Sequence, residues 1–130
     1  LQGIPQRLFA NTPELQQLSL DGNTILDIHP DTFNRLSQLK VLRLQKNLLW
    51  RVGADVFGTV KSLEQLLLQD NQIRIIEPGA LQTLHKLRHL NLQNNKLKQL
   101  GSFLPRNPSS LASLQLDGNV IDFIHDAAFV

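Results

Sequence analysis

The chain has 130 residues, of which 42% are hydrophobic and 18% are charged, a composition that fits one folded domain and shows no signature of disorder. Its 13 basic and 11 acidic residues leave a formal charge of +2 at pH 7, and no run of Lys and Arg gives a specific signal for nucleic-acid binding. Cysteine is absent, which excludes disulfides, thiolate metal sites and a cysteine nucleophile within the chain. No apolar stretch reaches the ~20 residues of a membrane span.

A repeated pattern, L-x-x-L-x-L-x-x-N-x-L/I, runs through the chain. Successive copies start 24 residues apart, at Leu15, Leu39, Leu63, Leu87 and Leu111. Residues 1–14 form a partial coil before the first full copy, and the last copy is truncated. The sequence therefore predicts one repeat domain over 1–130 that lacks both terminal caps, because a fixed period of this length is typical of a solenoid.

Each column of the repeat has a physical interpretation. The leucines of the central L-x-L alternate as in a short strand, so they point inward and stack on the leucines of neighbouring coils. The asparagine follows where the chain turns out of the strand, and its amide can bond backbone groups of its own and adjacent coils. This structural column consists of Asn23, Asn47, Asn71, Asn95 and Asn119. The predicted fold is an α/β solenoid, a right-handed superhelix with a parallel inner β-sheet and irregular or short helical outer segments.

The fourth repeat departs from the pattern on its outer side. Phe9, Phe33, Phe57 and Leu81 occupy one column, which Pro105 interrupts. Pro108 interrupts the outer leucine column in the same way, and both prolines oppose a helix. Phe103 arrives two residues early, so we expect it to swing inward as a substitute in an irregular segment.

The unit resembles the typical 24-residue class of extracellular leucine-rich repeats, the family that builds Toll-like receptor ectodomains, Slit-type guidance proteins and variable lymphocyte receptors. The resemblance covers essentially all of 1–130 and implies a protein ligand, no cofactor and an extracellular or cell-surface location. The uncapped ends favour an internal slice of a longer receptor, adhesion or immune protein, with an engineered truncation as the alternative. Exposed apolar end faces would predict self-association of the isolated chain.

Catalytic chemistry finds little support in the sequence. His85 and His89 have the i, i+4 spacing of a helical metal pair, but the repeat places His89 on the strand and His85 on the outer segment. His29 and His125 share a column and lie four coils apart. No phosphate loop, nucleophile motif or paired-carboxylate site can be assembled, which predicts a protein that is not an enzyme.

The solvent side of the inner sheet is the informative surface, because its outward positions are mostly polar and suit a wet protein interface. Near its centre lies the candidate partner-binding patch, formed by Val41, Arg43, Leu67, His89 and Asn91. Trp50, the one tryptophan, is a further candidate on the flank just after the asparagine turn.

Three functions remain open from the sequence alone. The first is protein binding through the concave face in an extracellular protein. The second is a structural role, in which these coils only space functional coils elsewhere. The third is an intracellular repeat scaffold, which the absence of cysteine favours and the phenylalanine-bearing 24-residue unit disfavours.

Overall fold

The computed structural model describes residues 2–105 and 110–129, which wind into a parallel β-solenoid. Five strands form the inner sheet in the order β1-β2-β4-β6-β8: β1 (Gln17–Ser19), β2 (Val41–Arg43), β4 (Gln65–Leu67), β6 (His89–Asn91) and β8 (Ser113–Gln115). Four two-residue strands lie after the inner strands on one flank: β3 (Arg51–Val52), β5 (Ile75–Ile76), β7 (Gln99–Leu100) and β9 (Phe123–Ile124). The predicted leucine-rich repeat solenoid is confirmed.

The inner sheet is in register with the sequence repeat. Leu42 pairs with Leu66, and Leu66 with Leu90, so each strand meets the residue 24 positions further along the chain. These middle leucines are 0–1% exposed, whereas their strand neighbours are exposed or half-buried. The alternation follows from the strand pleat, and it fixes which side chains face solvent on the inner arc.

A left-handed residue turns the chain out of each inner strand. Lys46, Asp70 and Asn94 have φ of 58°, 59° and 56°, and Gly22 and Gly118 occupy the same repeat position with φ of 70° and 74°. Glycine adopts this conformation without strain, and Asn and Asp tolerate it better than most residues. The repeated left-handed residue places the asparagine that follows it under the sheet.

Stacked phenylalanines fill the outer half of the first coils. The rings of Phe9 and Phe33 lie 6.1 Å apart, and those of Phe33 and Phe57 lie 6.0 Å apart, both as stacked pairs. Leu81 takes the next place at 1% exposure. Phe103 is also buried at 1%, as the sequence led us to expect.

The outer segments are irregular. Turns and the two-residue flank strands make up this side of the solenoid over residues 2–105 and 110–129, and no helix is found there. Of the two forms predicted for the outer segments, the irregular one is correct and the short helix is wrong for these residues. Residues 101–105 of the irregular segment predicted in the fourth repeat contain no helix, and Pro105 is buried. Pro108 lies in 106–109, outside the described residues.

Three large hydrophobic residues on the first and last described coils are about half exposed to solvent. Ile124 and Phe129 are 57% and 56% exposed, and Leu8 is 49% exposed. They lie on the first and last described coils, each of which has a neighbouring coil on one side only. Burial in a solenoid depends on stacking, because a single repeat cannot cover its own apolar side chains.

Candidate binding surfaces

The concave face is built from the first and third residues of each inner strand. Register places Arg43 beside Leu67 and Leu67 beside Asn91 on three adjacent strands. A second row carries Val41, then a glutamine, then His89. His89 is exposed and the other four predicted patch residues are half-buried, so the structure brings the five together on one accessible surface.

Polar contacts border this patch on the C-terminal side. The amide of Gln93 donates to both carboxylate oxygens of Asp117, at 2.6 and 2.8 Å. Asn91 donates to the side-chain oxygen of Gln93 at 3.1 Å and accepts from its backbone N–H at 3.0 Å. These bonds hold the polar side chains of the last two coils in one orientation, which lowers the entropy that a bound partner would have to remove.

The asparagine column runs beneath the turn that leaves the sheet. Asn71 donates to the carbonyls of Leu44 and Leu68, both at 3.0 Å, and its side-chain oxygen accepts from the N–H of Leu49 at 3.1 Å. Asn47, Asn95 and Asn119 make the equivalent bonds to their own and the preceding coil. Asn23 donates to the carbonyl of Leu20 at 3.0 Å. Each of these amides satisfies backbone groups that the sheet ladder leaves without a partner.

Trp50 lies on the flank and not on the concave sheet. It is 44% exposed, and the Arg51 guanidinium stands over its ring at 5.2 Å from the centroid. Arg51 also bridges two acids on the neighbouring coils, Asp27 at 3.0 Å and Glu77 at 3.4 Å. The hydrogen bond to Asp27 and the charge of that carboxylate raise the pKa of the Arg51 guanidinium above its ordinary value. The two acids hold the Arg51 guanidinium in place, and the guanidinium in turn covers one face of the Trp50 indole.

Besides Trp50, the flank carries apolar residues that sequence reasoning did not single out. Six large hydrophobic side chains are 40–58% exposed on this side: Leu26, Leu48, Trp50, Ile75, Val120 and Phe123. They occupy three outward repeat positions, two that follow the asparagine turn and one at the start of the flank strand. The sequence signal was the recurrence of apolar residues at these positions, which is weak because each column also contains polar residues.

The histidines stay apart. His89 lies on β6, whereas His85 lies on the outer arc and His29 contacts Gln6 there at 3.2 Å. His125 lies edge-on to Phe123, with ring centroids 6.4 Å apart. Over residues 2–105 and 110–129, no group of three or more His, Asp or Glu side chains is placed to hold a metal ion.

The repeating coils, the parallel inner sheet and the asparagine bonds are typical of solenoid repeat proteins, and they place this chain in that class. The Leucine rich repeat family matches residues 1–49 and 37–97, and a second match to the same repeat covers 86–114. This chain belongs to the leucine-rich repeat family. No helix within the described residues is long and apolar enough to cross a membrane.

Solved structures of the Drosophila Toll–Spatzle complex are similar to the chain. One matches with 27% identity and a TM-score of 0.81 over 92% of this chain and 17% of that one. The glycosylated form matches with 27% identity and a TM-score of 0.88 over 97% of this chain and 18% of that one. The chain thus spans less than a fifth of the length of these structural relatives. No curated protein gives a significant sequence match.

Proposed function

We propose that this chain is a protein-binding leucine-rich repeat module of an extracellular receptor, adhesion or immune-recognition protein, and that its ligand docks on the concave face. The observation that carries the proposal is the row formed by Arg43, Leu67 and Asn91 on adjacent strands. The similarity to a receptor solved in complex with a protein, Spatzle, supports a protein ligand and an extracellular setting.

The row combines chemical groups that protein interfaces favour. Arg43 supplies a planar cation with several donors, Leu67 supplies apolar area, and Asn91 supplies an amide whose orientation is fixed by Gln93. A partner seated over Leu67 would remove water from all three at once, because they lie on neighbouring strands about 4.8 Å apart. Val41 and His89 extend the same surface on the second row.

The test combines two substitutions on this face, Arg43→Glu and Leu67→Asp. The ligand used is the extracellular protein that copurifies with the wild-type chain. Its direct binding to the chain is first confirmed with the two purified components. We expect the double variant to weaken this binding by more than about tenfold, or 1.4 kcal/mol, with an unchanged melting temperature. Both side chains are partly exposed, so the inward leucines on either side keep their packing.

A pair on the outer arc provides the control. Asp31→Lys and Lys61→Glu reverse one charge of each sign, and both residues are exposed far from the inner sheet. The control pair should keep full affinity. If it abolishes binding while the concave pair leaves binding intact, the ligand does not dock on the concave face.

A further inference from the structure

A groove of about 880 Å³ runs along the flank across the third, fourth and fifth copies of the repeat. Three of its lining residues are cations, Arg74, Lys96 and Lys98, and three are apolar, Ile75, Val120 and Phe123. The concave face carries no such concentration of exposed apolar side chains among the described residues, since Leu67 and Val41 are half-buried. The flank groove is therefore a separate surface from the candidate patch.

The apolar residues of the groove face solvent because of their repeat position. Ile75 belongs to a coil that has neighbours on both sides, yet it is 54% exposed. Phe123, two coils further along in the same column, is also 54% exposed. Leu48, which shares its column with Val120, is 40% exposed on an interior coil. Exposure on this flank thus follows from the direction of the side chain and persists where coils stack.

Backbone bonds between coils hold the groove in one shape. Lys96 donates its N–H to the carbonyl of Ile73 at 2.8 Å, and Val120 donates to Leu97 at 3.0 Å. The β7–β9 pairing sets Gln99 beside Phe123, so Gln99 lies between the apolar side chains of the third and fifth coils. Because the groove is already formed before binding, less conformational entropy is lost when a partner binds.

Charge decides which occupant fits. The three cations share the groove with one acid, Asp122, and the ion pairs found among the described residues all belong to Arg51. Arg74 and Lys98 occupy the same column on adjacent coils, whose backbones lie about 4.8 Å apart along the solenoid axis, and Asp122 follows in that column. The cations outnumber the acid, and an acidic ligand would relieve the repulsion between like charges on neighbouring coils. A second copy of this chain fits poorly because its own net charge is +2.

We propose that the flank groove binds an acidic protein segment that carries apolar or aromatic side chains between its carboxylates. The carboxylates pair with Arg74, Lys96 and Lys98, and the apolar side chains pack on Ile75, Val120 and Phe123. A polyanion without apolar groups would leave those three side chains in water. The groove spans two intervals between coils, roughly 10 Å, which an extended segment crosses with about three residues.

The test measures fluorescence anisotropy with a fluorescein-labelled octapeptide of alternating glutamate and phenylalanine. We expect saturable binding that weakens as salt is raised, because exposed charges are screened. Substituting Arg74→Glu together with Lys98→Glu should weaken it at least about tenfold. Ile75→Ser with Phe123→Ser should do the same. All four residues are exposed, so the melting temperature serves to show that the variants remain folded.

Matched controls separate this groove from other surfaces. Arg35→Glu with Lys61→Glu reverses two exposed charges outside the groove and should leave peptide affinity unchanged. The concave pair, Arg43→Glu with Leu67→Asp, should also leave it unchanged, so failure of one surface is distinguishable from failure of the other.

Two further ligands decide between classes of partner. A peptide with serine in place of phenylalanine should bind at least about tenfold more weakly. Equal binding of the two peptides would overturn the apolar part of the proposal. A heparin octasaccharide that binds as tightly as the first peptide, and loses affinity in the Arg74 and Lys98 variant, would show a general polyanion surface and overturn the acidic-segment proposal.

Discussion

The inner and outer arcs of this solenoid follow the same 24-residue period with different strictness. On the inner arc, the leucine pairs and the asparagine bonds repeat from coil to coil with hardly any change. On the outer arc, the phenylalanine stack ends at Phe57, and Leu81 and then Phe103 fill the space that follows. The two arcs differ because a regular ladder of directional bonds joins the coils on the inner arc, whereas the bonds between coils on the outer arc are scattered and burial contributes most of the packing.

Directional bonds demand registration, whereas burial demands only volume. A shift of one residue in an inner strand would turn its leucines to solvent and break the ladder with both neighbours. On the outer arc, an apolar side chain of adequate size can enter from a different sequence position, as Phe103 does. The lesson is that variation in this repeat is tolerated where packing is non-directional.

The largest effect is expected for a change in the outer stack. Phe57→Ala removes a ring that is 0% exposed and should lower the free energy of unfolding by about 3–5 kcal/mol. Phe57→Leu reproduces the residue found naturally at position 81 and should recover most of this loss. Urea titrations of the two variants provide the measurement. Equal destabilisation by both would mean that ring stacking, and not volume, holds the outer arc.

A smaller loss is expected for a single amide of the inner ladder. Asn71→Ala removes bonds to Leu44, Leu68 and Leu49 and leaves buried backbone groups without partners, which should cost about 1–3 kcal/mol. Gln72→Ala is the matched control, because the backbone bond of residue 72 to Leu49 survives the change and its side chain is only half-buried. Similar losses in the two variants, measured by denaturant titration, would contradict a buried asparagine ladder.

The smallest effect is expected at the left-handed turn that joins the arcs. Gly118→Ala places a Cβ at φ +74° against Asn94, and should cost about 1–2 kcal/mol. Gly22→Ala has the same backbone penalty at φ +70° with open space around the new Cβ, so it should cost less. Thermal melting compares the two. The double variant Gly118→Ala with Asn94→Gly should recover the part due to contact, and no recovery would show that backbone strain alone sets the cost.

The sequence predicted the fold more completely than it predicted which side chains form the candidate binding surfaces. The period placed Arg43, Leu67 and Asn91 on one face, since strand alternation leaves no other arrangement for them. It did not single out Ile75 and Phe123, because their column also contains Asp27, Arg51 and Gln99 and so has no uniform character. A surface that is assembled from unlike residues gives no periodic signal.

Periodicity by itself determined the solenoid, the parallel inner sheet, the inward leucines and the position of the asparagine turn. These features recur in every coil, because the same physical constraint acts on the same repeat position each time. Tertiary packing alone decided whether the outer segments are helical or irregular, where Arg51 finds Asp27 and Glu77, and how Arg74, Lys98 and Phe123 meet in one groove. The reason is that the period fixes which positions become neighbours, such as 27 and 51 or 74 and 98, whereas the contacts made by the unlike side chains at those positions depend on the packing around them.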